Sequence, residues 1–143
     1  MPAAFADIMT AFLAQEALTE FFARIERRRV DVPNWSGPWP LLSIWIENHQ
    51  QGDAIGDGRV AWEARYAIVV ANKLAAGKSQ DQCLAEMAAV IEDAVDAFTY
   101  STGGWLLAGK DLSGWDSDDS AGHKEGSPHW CDRALILRYR PSS

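Results

Sequence analysis

Two stretches of the chain carry residue types that could do chemistry. The first is Asn72-Lys73-Leu74-Ala75-Ala76-Gly77-Lys78-Ser79, which follows an alternating segment and precedes a helical one, as a phosphate-binding P-loop does. A P-loop opens on Gly, whose backbone freedom makes the tight turn around the phosphates, and Asn72 stands at that place. No later strand-like segment ends in an Asp suited to hold magnesium. The favoured reading is a capped turn, because Ser79 with Gln82 three residues on forms a capping box.

The second stretch gathers Asp116, Asp118, Asp119, His123, Glu125 and His129, hard oxygen ligands with two imidazoles. A calcium loop starting at Asp116 would need Gly at Ala121 and Glu at Ser127, so that pattern fails. The His123 to His129 spacing fits neither one helix face nor a known zinc pair, and a solvated acidic loop is the favoured reading. His49, beside Asn48, is a lone imidazole on which no Ser/His/Asp or Cys/His grouping can be anchored. Cys83 and Cys131 lie far apart, in no metal-ligand spacing, and read as small buried apolar residues in a reducing compartment. No catalytic residue, metal or cofactor is therefore expected, and the chain does not read as an enzyme.

What stands out instead is contact chemistry. Seven Trp occur, at positions 35, 39, 45, 62, 105, 115 and 130. Trp39, Trp45, Trp62 and Trp115 fall in loops or on strand faces shared with polar residues, where large rings favour protein contact or ligand stacking. Arg24, Arg27, Arg28 and Arg29 form the one dense basic cluster, and Arg133, Arg138 and Arg140 a sparser one. Arg27, Arg28, Arg29, Trp39, Trp45, Trp62, Trp115, Asp116, Asp118 and Asp119 are the candidate subunit or partner interface.

The elements that must position these residues follow from periodicity. Phe5, Ile8, Met9, Phe12 and Leu13 recur at helical spacing, giving a first helix over 3–15. Residues 16–29 carry Leu18, Phe21, Phe22 and Ile25 out of register with it, as a second helical piece or a short strand. Pro33, Pro38 and Pro40 bar regular structure up to Leu41. Alternation then predicts a strand over 41–47, with Leu42, Ile44 and Ile46 on one face, and a polar Gly/Asp turn over 50–58.

A long strand over 59–71 follows. Its last part, 68–71, is apolar on both faces and calls for cover from a helix or another subunit. A sharply amphipathic helix over 80–98 presents Leu84, Met87, Ile91, Val95 and Phe98 to the sheet. Residues 105–108 are extended, 111–128 form a flexible loop, and 130–139 a final strand. The sum is an α+β fold, an α/β-type sandwich in which a mostly antiparallel sheet of about four strands carries two main helices.

At 143 residues, with 48% apolar and 23% charged side chains, the chain sits in the range of one globular domain with one core. No apolar run approaches the ~20 residues of a membrane helix, and no basic, apolar leader opens the sequence, so a cytoplasmic product is expected. A net charge of −7 argues against a protein that grips nucleic acid.

In order, these elements resemble the tail terminator, or tail completion, proteins of long-tailed bacteriophages. The likeness rests on the N-terminal helix, the Leu18-Thr19-Glu20-Phe21-Phe22-Ala23-Arg24-Ile25 stretch and the strand Pro40-Leu41-Leu42-Ser43-Ile44-Trp45-Ile46. It continues through the Gly/Asp turn, the aromatic-bearing long strand, the single long helix and the C-terminal strand ending at Tyr139. It covers nearly the whole chain, 1–143, as one domain. The resemblance implies a hexameric homo-oligomeric ring in the virion neck, assembled in the host cytoplasm. Such a ring caps the tail tube protein, meets the head-tail connector or stopper protein, and lets DNA pass unbound through its lumen. A head-completion or stopper neck protein, or a small metal- or nucleotide-binding enzyme, are the alternatives. Gene order would separate the neck proteins, since a terminator gene usually precedes that of the major tail protein.

Overall fold

The computed structural model describes residues 2–118 and 126–142, with 116–118 as backbone only. Helix α1 (Ala4–Leu13) is followed by α2 (Glu16–Phe21) and strand β1 (Arg24–Glu26), and a 3₁₀ turn covers Val32–Asn34. Strands β2 (Leu41–Gly56) and β3 (Arg59–Lys73) lead to helix α3 (Gln80–Ala97). Strands β4 (Ser101–Thr102), β5 (Trp105–Leu112), β6 (Asp116–Asp118) and β7 (Pro128–Pro141) complete the described chain.

The strands form one sheet in the order β1-β2-β3-β7-β5-β4, with β6 also pairing β7. The β1–β2 pairing is parallel, and every other pairing is antiparallel. This overturns the expected α+β sandwich of about four strands and two main helices. The fold is a mostly-sheet one, a mixed, curled sheet of more strands with three α-helices.

The extra strands have a common physical origin. The polar stretch 50–58 is not a broad turn. β2 runs through it to Gly56, and only Asp57 and Gly58, both at positive φ (54° and 73°), make the hairpin turn. Such a two-residue turn with both centres left-handed matches the twist of the strands it joins. With both faces wet, this part of the hairpin lacks the apolar alternation that betrays a strand. The 16–29 segment holds both of its alternatives in succession, α2 and then β1, which is too short to show a period.

The long antiparallel strand β3 divides two layers. On one face, Ala64, Tyr66, Ile68 and Val70 join Leu42, Ile44, Leu135, Leu137 and Tyr139 in a single buried cluster. Ile8, Phe12 and Leu18 from α1 and α2 complete it, with Met87, Ile91 and Val95 from α3. Each such apolar side chain withdrawn from water contributes about 1.5–3 kcal/mol, and this cluster is the core. The amphipathic stripe of α3 points into it, and the helix begins where its capping box sets it. The Ser79 hydroxyl accepts from the Gln82 N–H at 3.4 Å, while the Gln82 side chain accepts from the Ser79 N–H at 2.9 Å.

All three helices serve that one face. Among the described residues the other is covered at one end, where Val32 packs on Leu41 and Ala71, with Val30, Trp35, Trp39, Val69 and Trp130 around them. So the doubly apolar end of β3 is covered by helices on one side and by the Pro-rich segment 30–39 on the other, within the same chain. Ser43, fully buried there, donates its hydroxyl proton to the Arg28 carbonyl at 2.5 Å and ties that segment to the sheet.

At the opposite end β2 and β3 outrun the sheet. The last β3–β7 partners are Trp62 and Tyr139, so residues 52–61 pair only with each other, as a projecting two-stranded arm. Register shifts between Ile46 and Asn48, Gln51 and Ala54, and Ala54 and Gly56 interrupt the β2 side of it. Bulges of this kind twist a strand away from flat edge pairing.

Candidate functional site

Beyond that small cluster the second sheet face holds, among the described residues, a cleft of about 920 Å³. Its floor follows from strand register. Trp45 on β2 lies opposite Ala67 on β3, which lies opposite Ala134 on β7, so two methyl groups sit low beside one indole. Val69 and Asp132 form the next row, and Trp130 closes the covered end beside Ala71. Residues 29–33 make one wall, entering from β1 under the constraint of Pro33, and Ser113 stands at the far side.

Charge in the cleft is mixed. The Arg29 guanidinium lies 6.0 Å from the Trp45 ring centre, Arg65 approaches Glu47 at 3.6 Å, and Asp31 accepts from the Asn34 amide at 2.5 Å. The lining contains no imidazole and no thiol among the described residues. Its one hydroxyl, Ser113, accepts from the Ala134 N–H at 2.8 Å. Aromatic rings, low alanines and salt-bridging groups line the cleft.

The predicted interface residues divide. Arg29 and Trp45 meet in the cleft. Arg28 pairs with Glu26 at 3.5 Å, and Arg27 is tied to α1, donating to the Thr10 hydroxyl at 2.7 Å and the Ala6 carbonyl at 3.2 Å. Trp39 packs into the small cluster under residues 30–39. Trp62 lies against the core at the base of the arm, 5.2 Å from the His49 ring.

Trp115 also packs inward, its N–H donating to Glu92 at 3.2 Å and its ring 4.6 Å from the Arg133 guanidinium. Asp116 and Asp118 belong to β6, whose backbone pairs Asp132 and Trp130. Asp119, with His123 and Glu125 of the acidic cluster, lies outside the described residues. Trp130, Arg65 and Ala67 were not singled out as site residues. Their only signal was the strand alternation that sets them on the face opposite the core.

The groups with chemical potential are turned to structural use. Lys78 donates to both Glu86 carboxylate oxygens at 2.7 and 3.0 Å, which holds its ammonium more firmly protonated, and Ser79 caps α3. His49 is not without a partner, for its Nε2 meets the Tyr139 hydroxyl, 90 residues away in sequence. Its ring stacks on Tyr139 and lies 4.5 Å from that of Phe5, and burial lowers its pKa. Burial pushes the Tyr139 hydroxyl up to about 12.

His129 is buried, and neither of its ring nitrogens has a partner of ordinary hydrogen-bond geometry among the described residues. Burial lowers its pKa, against a smaller opposing effect of the nearby Ser127 backbone. Cys83 and Cys131 are free and buried, and burial, with Asp132 adjacent, pushes the Cys131 thiol up to about 12. No protein-family model matches the chain, and no curated protein sequence matches it.

Proposed function

We propose that the protein is a structural subunit of a bacteriophage virion, a tail-terminator-like neck protein. In this reading it assembles into a homo-oligomeric ring, caps the tail tube and joins it to the head-tail connector. The observation that carries the reading is the sheet face bared between residues 29–33 and β7. There Trp45 and Trp130 stay half-buried beside Arg29, Arg65 and Arg133, on a sheet whose other face carries the core. Rings and guanidinium groups concentrate at protein interfaces, and an apolar-aromatic face rimmed by charge marks one. A chain of net charge −7 also suits the wall of a channel that passes DNA without binding it.

Native mass spectrometry over a wide concentration range, with and without purified tail tubes, tests the proposal. The expected result is a ring, hexameric by the resemblance, either free or formed on the tube end. A strict monomer that also leaves tube ends open to further polymerisation would sink it, whereas a monomer that assembles only on tubes would not.

A further inference from the structure

The uncovered arm and the uncovered cleft are separate parts of one chain, and we infer that the β2–β3 arm of one copy seats in the rear-face cleft of the next. The inference rests on the self-assembly reading above and names the contact that would build it.

The arm supplies the first argument. Among the described strands residues 52–61 pair only with each other, and with 52–54 and 56–58 exposed, a two-stranded ribbon so little covered is marginal in water. A partner surface stabilises it. The arm cannot reach the cleft of its own chain, because Ala67 and Trp45 of the cleft floor lie on the very strands that continue into the arm. Folding the arm back would break the β2–β3 ladder that defines both. A second copy has no such constraint.

Shape and charge agree with that occupant. The arm carries Gly52, Ala54, Gly56, Gly58 and Ala61, small residues that let a ribbon approach closely. The floor opposite is low at Ala67 and Ala134, between Trp45 and the 29–33 wall. Asp57 leads at the tip, and Arg29 lines the cleft. The arm's cation, Arg59, would meet Asp31 and Glu47. Because donor arm and acceptor cleft are different patches, the contact is heterologous, the kind that closes a ring when the rotation between copies allows.

The native thiols make the test clean, since Cys83 and Cys131 are both buried. A double variant with Ala54→Cys on the arm and Val30→Cys on the cleft wall, oxidised in the isolated protein, is expected to give a ladder of cross-linked oligomers. Mixing the two single variants should give dimers alone. A companion variant joins Gln51 to Trp62 by a two-residue Asn-Gly turn. It should keep its circular dichroism spectrum and core hydrogen exchange while self-association weakens at least tenfold.

A ring that forms without the arm-to-cleft cross-link overturns the inference and leaves the tube-capping reading standing. So does a shortened, folded variant that assembles as well as the parent, or an arm protected only when tail tube protein is added. A cross-linked ladder from a protein that fails to cap tubes sustains the inference and sinks that reading. A monomer at every concentration, with no cross-link, overturns the arm contact outright.

Discussion

His49 meets the Tyr139 hydroxyl through one nitrogen and keeps the other buried without a partner among the described residues, with Phe5 and Trp62 against its ring. A proton added there would sit among aromatic rings, with no carboxylate of the described residues bonded to it. Its folded pKa is lowered from an ordinary value near 6.5, as is that of His129, so the unfolded chain binds these protons more readily. The stability this contributes is complete above about pH 6.5, the unfolded value, and is lost progressively below it as pH falls through the lowered folded value. Urea midpoints should therefore decline between pH 7.5 and 5, and His49→Gln should flatten the slope while lowering the plateau.

Arg133 is the other residue with a long reach. Its side chain is only 10% exposed, and it bonds Glu92 at 2.9 Å, the Leu112 carbonyl at 3.3 Å and the Ser113 carbonyl. Bonds of this charge-assisted kind contribute about 1.5–3 kcal/mol each before shared losses. Arg133→Met is expected to cost about 2–4 kcal/mol in denaturant midpoints, well above Arg24→Met, whose guanidinium is half exposed.

At the scale of elements, α3 depends on its start. Ser79→Ala removes the side-chain half of the capping box and is expected to destabilise by about 1 kcal/mol, seen as a lower melting temperature with an unchanged native spectrum. This helix was legible in sequence because both its signals are local: a 3.6-residue apolar stripe and a Ser-x-x-Gln start. The same holds for α1, for the core half of β3 and for β7, where one face is buried and the alternation of residues records it.

The elements that escaped have no such record. β1, β4 and β6 are too short to show a period, and in the arm Gly52, Gly56 and Gly58 break the alternation, leaving strands held by backbone hydrogen bonds to which side chains bear no witness. The candidate site was half legible for the same reason. Trp45 and Arg29 stood out as residue types, but that they share a cleft depends on a β2–β3–β7 register that no local pattern encodes. The pairing of His49 with Tyr139 spans too much chain to be read at all.

At the scale of the whole molecule, the sheet is finished on one side and unfinished on the other. Ile68, fully buried at the centre of the finished side, should cost about 2–5 kcal/mol when cut to Ala, a large share of a domain's roughly 5–15 kcal/mol. Trp45→Ala, on the unfinished side, should leave the melting temperature within a few degrees. Sedimentation velocity should report the loss as weaker self-association.

β3 belongs to both worlds, paired with β7 from Trp62 to Lys73 and forming the arm before it. A pull on the arm along its own axis therefore loads that whole ladder lengthwise, in shear, with every inter-strand hydrogen bond sharing the force. A sideways pull would peel the bonds one at a time. The strand that reaches outward is also paired on both sides within, which makes the arm a tie through which tension applied at its tip passes into the core.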